Sequence, residues 1–355
     1  MVLFSLVMGK LRQFFRLAAQ RQRQGHRSVL VQVAQAAFLL LVRQHGPMFY
    51  QMAGFWRKSI PLRDMMAHLN AREYSRRVAS LNPSMYRMQS ENKLSEKALL
   101  TLLGFPVPRF VGHFHAMHGR AASGEPLRTP QDLVAMIKQE DLRRLCFKPL
   151  EECGGEGFTP VDVVFDGGVC HFRGLGETET VTVDEFIGRW TEPLGAVIEE
   201  YFEQHPVLSA LNPSSVNTCR IWVARSENQP AQTLFGYLRI GRGGSTIDNR
   251  DGGGLAAPVD SETGVLDSAV DSVETREIYQ QHPDHGAAIK NVQLPYWAEA
   301  KALSEACLAA FPRLRFAGLD IAIGAEGPVI IEMNVSPARE GATFVDIPSG
   351  RVIPR

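Results

Sequence analysis

The sequence has few of the features that mark secreted, membrane-spanning or disulfide-rich proteins. Only five of its 355 residues are cysteine and no two form a Cys-x-x-Cys pair, which favours reduced thiols in a cytosolic protein. The longest apolar run covers 14 residues, 29–42, and contains Gln32 and Gln35, whereas a bilayer-spanning helix needs ~20 apolar residues. A buried helix is therefore the better interpretation of that run. Residues 1–8 are apolar but lack a preceding basic segment and a cleavage site, so we expect no signal peptide.

Net charge is also absent, because 38 basic residues balance 38 acidic ones. The balance is uneven along the chain. Residues 1–90 contain 14 Lys and Arg against only Asp64 and Glu73, so this part carries +12 and the remainder −12. Such asymmetry indicates an anionic partner for the first 90 residues, which charge alone does not identify. The length suggests two or three domains, with room for a cleft between them.

The first helix allows two interpretations. Between residues 3 and 24, apolar residues fall at helical spacing and basic residues lie between them. This helix either lies on an acidic membrane surface or packs on its own domain with a solvated basic face, and we favour packing. From about residue 91 short β-like runs alternate with Gly-rich loops and helical stretches, which predicts an α+β body.

A predicted hairpin near the C-terminus carries the strongest chemical signal. Residues 318–323 and 329–334 are two apolar strands joined by a tight turn. Glu332 and Asn334 are two apart on one strand and share a face, which Asp320 reaches from the neighbouring strand. Two carboxylates and an amide oxygen suit Mg²⁺ that bridges nucleotide phosphates. Solvated acidic residues at strand ends are the less favoured alternative.

A lysine followed by a glycine-rich loop forms the second signal. Lys148 lies on a predicted strand, and Gly154, Gly155 and Gly157 follow it around Cys153 and Glu156. Backbone N–H groups of glycines can approach phosphates closely because no Cβ obstructs them. The loop is neither a Walker motif nor a dinucleotide fingerprint.

Two further groups of residues have weaker signals. An apolar strand ends in acidic and aromatic residues that could meet an adenosine, although a solvated acidic turn is the favoured alternative; they are Glu199, Glu200, Tyr201, Phe202 and Glu203. Arg220 and Arg239 lie in or beside β-like runs and could neutralise a transferring phosphoryl group. Structural ion pairing is the alternative for each arginine.

Taken in order, these elements resemble the sugar-transfer-associated ATP-grasp family over about residues 85–345. The resemblance also rests on Asn92-Lys93 before a helix, on Ser215 to Arg220 and on Asp248-Asn249 followed by glycines. It implies two α+β subdomains, 91–196 and 197–355, which hold ATP between their sheets. Residues 1–90, which charge and composition set apart as a basic helical region, precede them.

The resemblance also assigns roles to residues. Lys93 and Lys148 would contact ATP phosphates, residues 199–202 would line the adenine, and Glu203 would bind the ribose. Asp320, Glu332 and Asn334 would hold one or two Mg²⁺ ions, with Mn²⁺ as a substitute. Arg220 and Arg239 would face the γ-phosphate or an acylphosphate. The acceptor side would include Arg242, Asp248 and Asn249, and His282 belongs either to a substrate-side loop or to a structural turn.

The implied function is an ATP- and Mg²⁺-dependent ligase. It would activate a small-molecule or sugar-linked carboxylate as an acylphosphate for attack by an amine, with release of ADP and phosphate, in cell-surface polysaccharide or sugar-conjugate synthesis. Kinase-like transfer on the same fold and a non-catalytic nucleotide-binding partner of a glycan assembly system are the alternatives. We expect a cytoplasmic protein whose residues 1–90 contact a membrane's inner face or another protein, and no nucleic-acid partner.

Overall fold

The computed structural model describes residues 2–151, 157–190, 193–249, 252–271 and 275–355. Within these ranges there are 13 helices: α1 (Val2–Arg23), α2 (Val29–Arg43), α3 (Pro47–Met52), α4 (Leu62–Met66), α5 (Ala71–Leu81), α6 (Ser84–Glu91), α7 (Lys93–Leu102), α8 (Pro130–Gln139), α9 (Val183–Arg189), α10 (Pro206–Leu211), α11 (Trp297–Ala309), α12 (Gly341–Phe344) and α13 (Ser349–Val352).

The same ranges contain 14 strands: β1 (Phe110–Phe114), β2 (Arg120–Ala121), β3 (Arg144–Pro149), β4 (Thr159–Asp166), β5 (Val169–Gly174), β6 (Thr180–Thr182), β7 (Ala196–Glu200), β8 (Cys219–Ala224), β9 (Gln232–Ile240), β10 (Leu255–Val259), β11 (Ala269–Asp271), β12 (Ile278–Tyr279), β13 (Phe316–Gly324) and β14 (Gly327–Asn334).

The strands form two seven-stranded antiparallel sheets. The first has the order β2-β1-β7-β3-β4-β5-β6 and the second the order β12-β11-β10-β9-β8-β13-β14. With helices packed on both sheets, this architecture confirms the predicted α+β class. The boundaries at 90/91 and 196/197 stay predictions; β7 spans the second of them and pairs with β1 and β3 in the first sheet.

The predicted C-terminal hairpin forms one edge of the second sheet. All nine residues of β13 are buried between β8 and β14, and α11 packs on these strands. Burial on both faces explains the nearly continuous apolar sequence of this strand. Asp320 is its only charged residue, and it lies directly opposite Glu332 on β14. The charge of Asp320 therefore needs partners on adjacent strands.

The N-terminal helices confirm one expectation and contradict another. Phe14, Leu17 and Ala18 of α1 are buried against the protein's own helices, as the favoured interpretation of this helix requires. The prediction that residues 29–42 form a buried helix is wrong. Leu30 and Leu41 of α2 are 82% and 83% exposed, because this helix packs on its neighbours with one face only. No helix in the described ranges is long and apolar enough to cross a membrane.

The N-terminal helices also hold the last part of the chain, residues 337–355, here called the C-terminal arm. Tyr74 Oη donates to the Pro337 carbonyl oxygen at 2.5 Å. Gly350 N donates to the Ala67 carbonyl oxygen at 3.0 Å, and the Arg57 guanidinium bonds Asp346 at 2.7 Å. The N-terminal helices, which are not part of the two sheets, therefore hold the C-terminal arm in place.

Candidate active site

A cavity of about 500 Å³ lies between the two sheets, and α7 and the C-terminal arm complete its walls. It collects most of the side chains that the sequence predicted to act together. Of those predicted residues, the following line it: Lys93, Lys148, Glu199, Glu200, Tyr201, Phe202, Arg220, Arg239, Asp248, Asn249, Asp320, Glu332 and Asn334.

Two lysines share one buried carboxylate at the first sheet. Glu199 on β7 is 2% exposed and bonds Lys148 Nζ on β3 with one oxygen; its other oxygen lies 2.6 Å from Lys97 Nζ on α7. Burial alone would raise the pKa of Glu199, but the two lysine charges outweigh it and lower that pKa to about 2. The Glu199 side chain thus anchors both lysines, which differs from the adenine contact that the resemblance implied for it.

Lys97 and Glu96 line the cavity but were not predicted. The signal that could have found Lys97 is its spacing: it follows Lys93 by four residues on one helix, so both side chains lie on the same face. Burial lowers the pKa of Lys97 and outweighs the charge of Glu199, which acts in the opposite direction. An added anion such as a phosphate group would favour the charged form of this lysine.

A second ion cluster crosses the middle of the second sheet. Arg220 on β8 bonds both carboxylate oxygens of Asp320, one of them at 2.9 Å. Arg239 on β9 lies 2.8 Å from Asp320 and 2.7 Å from Asp248, which links both carboxylates. Thr218 completes the cluster, since its backbone N–H and hydroxyl donate to Asp248 at 2.8 and 2.6 Å.

The two carboxylates of this cluster have pKa shifts in opposite directions. Burial raises the pKa of each, but Asp320 has two arginine neighbours whose charges outweigh burial and lower its pKa. For Asp248 burial prevails over Arg239 and Thr218, so its pKa is raised. Asp320 is therefore the firmly ionised member of the cluster.

The hairpin residues present oxygen ligands to the cavity. Asp320, Glu332 and Asn334 all line it, and the Nδ2 atom of Asn334 is buried without a hydrogen-bond partner. Glu96 lines the same cavity, and its carboxylate accepts a hydrogen bond from the Met333 backbone N–H at 2.6 Å. Burial, followed by the charge of Glu332, raises the pKa of Glu96 well above its usual range.

The charges of the cavity walls bear on whether a bound nucleotide would need Mg²⁺. Five lysines and arginines and seven carboxyl groups are among its described lining residues, so the walls alone offer no excess of positive charge for a triphosphate. No group of three His, Cys, Asp or Glu side chains arranged to hold a metal occurs in the described ranges. Asp320, Glu332 and Asn334 place two carboxylates and one amide oxygen on the cavity wall, which is a donor set of the hard oxygen type that Mg²⁺ takes.

Apolar side chains line the part of the cavity beyond the lysines, including Tyr201, Phe202 and Ile331. Tyr201 and Phe202 directly follow β7, and together with Ile331 they give the cavity an apolar surface of the kind on which a planar ring could pack. Burial raises the pKa of Tyr201 to about 12, which keeps its hydroxyl protonated. Glu203 is not brought to the cavity: its side chain is 82% exposed and lies 3.5 Å from Arg144. Glu200, three residues earlier, does line the cavity.

Two predicted acceptor-side residues also lie outside the cavity lining. His282 forms a turn, in which its Nε2 atom is 2.9 Å from the Gly241 carbonyl oxygen and its ring stacks on His285 at 4.0 Å. The Arg242 guanidinium pairs with Asp284 at 3.4 Å. Their side chains hold the loop after β9 against the turn at residues 282–286.

The glycine-rich loop is only partly described. Gly154 and Gly155, with Cys153 and Glu156, lie outside the described residues. Gly157 has a φ of 70°, and a Cβ there would press on the Pro149 ring that follows Lys148. Glycine is thus required at this end of the loop. The sequence did not predict the opposite wall, where the C-terminal arm supplies Glu340 and Phe344.

Comparisons with known proteins place this geometry in a family. The profile described as "Sugar-transfer associated ATP-grasp" matches residues 71–355. A search of curated proteins finds no match.

Solved structures that match part of this chain include the following three. N5-carboxyaminoimidazole ribonucleotide synthetase from Thermus thermophilus is 13% identical with a TM-score of 0.36, covering 71% of this chain and 47% of that one. A RimK domain ATP-grasp protein from Sphaerobacter thermophilus is 14% identical with a TM-score of 0.37, covering 74% and 68%. D-alanyl-alanine synthetase A from Vibrio cholerae is 10% identical with a TM-score of 0.40, covering 72% and 59%.

The chain spans about half the length of the first of these proteins, 47%. The family match covers most of the chain and includes both sheets, the two ion clusters and the C-terminal arm. It confirms the resemblance on which the predicted ATP-grasp fold rested. The chain belongs to the sugar-transfer-associated ATP-grasp family.

Proposed function

We propose that the chain is an ATP- and Mg²⁺-dependent ligase that activates a carboxylate as an acylphosphate for attack by an amine. The carboxylate would be a small or sugar-linked acid, and the products would be an amide, ADP and phosphate. One observation carries this proposal: the lysine cluster at Glu199 and the arginine cluster at Asp320 open on the same cavity.

The two clusters suit the two ends of a phosphoryl transfer. Lys97 and Lys148 are held by Glu199 on the side where Tyr201 and Phe202 form an apolar wall, which suits a nucleotide with its phosphates at the lysines. Arg220 and Arg239 lie across the cavity, where their charge would stabilise the transferring group and then the acylphosphate. Enclosure between the sheets would protect this intermediate from water.

Asp320, Glu332 and Asn334 would hold the Mg²⁺, which supplies charge neutralisation of the phosphate oxygens when bound. The lysines and arginines of the cavity do not outnumber its carboxyl groups, so a bound triphosphate would need an added cation. Asp320 keeps both arginines oriented through the bonds described above. The arginines would thus be positioned for an anion before any substrate arrives.

Trapping with hydroxylamine tests the reaction. The purified chain is incubated with Mg-ATP, hydroxylamine and a panel of sugar acids and amino acids, and both hydroxamate and ADP are measured. We expect hydroxamate formation with at least one acid, because only an activated acyl group yields it. ADP release with a phosphorylated hydroxyl and no hydroxamate would indicate the kinase-like alternative, and tight Mg-ATP binding without ADP release would indicate a non-catalytic partner.

Matched lysine variants test the site itself. Lys148→Met removes a phosphate-side cation, whereas Lys138→Met removes an exposed lysine of α8. We expect the first to reduce hydroxamate formation at least roughly 100-fold and the second to leave it unchanged. Equal rates in both variants would contradict the proposed role of the cavity.

We place the reaction in the cytoplasm, where ATP is present, and in the assembly of cell-surface polysaccharides or sugar conjugates. The family's description and the four buried free cysteines of the described ranges support this placement. Deletion of the coding gene should alter the surface glycan composition, which compositional analysis of the isolated glycans would measure.

A further inference from the structure

The solvent-facing side of α2 is apolar along the whole helix. Leu30 and Leu41 are 82% and 83% exposed, Val42 is 52%, Phe38 is 42% and Val31 is 41% exposed. We call these five residues the outer face of α2. A helix on a protein surface ordinarily shows polar residues to solvent and apolar residues to the core. The outer face of α2 reverses this rule.

The polar residues of α2 point the other way. Gln32 is fully buried, and its Nε2 atom donates to the carbonyl oxygens of Ala18 and Arg27 at 3.0 and 2.8 Å. Gln35 accepts a hydrogen bond from Tyr50 Oη at 2.8 Å. These bonds fix the rotation of α2 about its axis, so the outer face cannot turn inward without leaving buried amide groups unpaired.

Apolar and basic side chains lie side by side on the adjacent helix. Leu11 and Phe15 of α1 are 38% and 50% exposed. Arg12 and Arg16 each follow one position later and are exposed, as is Lys10. The row of arginines therefore borders the row of apolar side chains on α1.

We propose that the α1–α2 hairpin, residues 2–43, docks on a bilayer that contains anionic phospholipids. The outer face of α2 would enter the boundary between headgroups and acyl chains, and Lys10, Arg12 and Arg16 would contact headgroup phosphates. The opposite side of α2 is packed on α1 and α3, which keeps the helix along the protein surface. This proposal does not depend on the ligase reaction.

Charge decides between a bilayer and a second copy of the chain. Residues 1–90 carry +12, so two copies that met through their hairpins would bring like charges together. An anionic bilayer offers an apolar layer that would cover the outer face of α2, and its negative charge is opposite to that of the hairpin. A large exposed apolar patch can mark a protein-binding or a membrane-binding surface. Of a second copy and an anionic bilayer, only the bilayer matches the basic residues beside the outer face of α2.

Flotation of the full chain with lipid vesicles tests the proposal. One set of vesicles is phosphatidylcholine alone and the other mixes phosphatidylcholine and phosphatidylglycerol in roughly a two-to-one ratio. We expect at least roughly tenfold stronger binding to the mixed vesicles, reduced by added salt. Absence of binding to the mixed vesicles, or equal binding to both sets, would overturn the proposal.

Three triple variants separate the contributions. The outer-face variant is Leu30→Gln/Phe38→Gln/Leu41→Gln. The basic variant is Lys10→Ser/Arg12→Ser/Arg16→Ser. The control variant is Met88→Gln/Leu102→Gln/Met117→Gln. The control removes three apolar side chains elsewhere on the protein, which are 67–82% exposed. We expect the first two variants to lose at least roughly tenfold in binding to mixed vesicles and the control to bind like the unchanged chain.

Folding and self-association are checked in the same samples. Because all substituted side chains are exposed, thermal midpoints and circular dichroism should stay unchanged in every variant. Wild-type binding by the outer-face and basic variants would refute the hairpin as the docking element. Light scattering that shows a dimer only in the chain with an intact outer face, without vesicle binding, would identify a second copy as the occupant instead.

Discussion

Replacing Glu199 by glutamine removes the negative charge that two buried lysines share while it keeps the shape of the side chain. In the folded chain Lys97 and Lys148 both contact this carboxylate, which is 2% exposed. Glutamine leaves their charges buried without a counter-ion, and breaking a buried ion pair in this way is strongly destabilising. Glu199→Gln should therefore lower the free energy of unfolding.

The pKa of Glu199 sets the size and pH dependence of this loss. It falls from 4.5 to about 2 on folding, which corresponds to roughly 3 kcal/mol of stabilisation when the carboxylate is charged. The contribution is complete above pH 4.5 and is lost as the pH falls from 4.5 towards 2, because the unfolded chain takes up the proton at a higher pH than the folded one. The deficit of the variant should thus shrink to roughly 1 kcal/mol near pH 3.

Urea unfolding, followed by tryptophan fluorescence at neutral pH and near pH 3, measures this difference. Glu200→Gln is the matched control, since Glu200 is the next residue of β7 but is 41% exposed and pairs with Arg109 at 3.4 Å. An exposed pair of this kind contributes less than about 1 kcal/mol. Equal losses in the two variants, or a Glu199→Gln deficit that stays constant at low pH, would refute the reasoning.

Two further predictions concern thiols and glycines. Burial raises the pKa of Cys146 and of Cys219 to about 12, so a thiol reagent at neutral pH should leave both unmodified until the chain unfolds; peptide mapping that finds either of the two rapidly labelled in the native protein would contradict this. Gly195→Ala should cost roughly 3 kcal/mol in urea unfolding, because its φ is 75° and a Cβ would overlap the Phe114 carbonyl oxygen. Gly124→Ala, with a φ of 92° and open space around it, should cost about 1–2 kcal/mol, and equal losses would contradict the overlap.

Local patterns in the sequence predicted the parts of the site that depend on neighbouring residues. The hairpin of β13 and β14 follows from two apolar runs and a tight turn, and two-residue spacing places Glu332 and Asn334 together. The order of Lys148, Arg220 and Asp320 along the chain contributed to the family resemblance, which the match over residues 71–355 confirms. These features need only strand periodicity and motif order.

Features that depend on which residue a side chain contacts were harder to predict from the sequence. The family resemblance placed Glu199 near the adenine, but its ion pairs join three separate elements, α7, β3 and β7. The same limit applies to residues 29–42, whose apolar composition is compatible with a buried helix. The hydrogen bonds of Gln32 and Gln35 to residues outside the helix show which side of α2 faces inward.

The uneven charge of the chain now divides into two parts with different physical roles. Several basic residues of the N-terminal region neutralise acidic residues of the body or bond the C-terminal arm: Arg21 lies 3.5 Å from Glu277, Arg57 bonds Asp346, and Arg77 donates to two carbonyl oxygens of the arm. This arm supplies Glu340 and Phe344 to the cavity wall. The N-terminal helices thus support one wall of the cavity, and the exposed basic residues of α1 are among those whose positive charge remains available to an anionic partner.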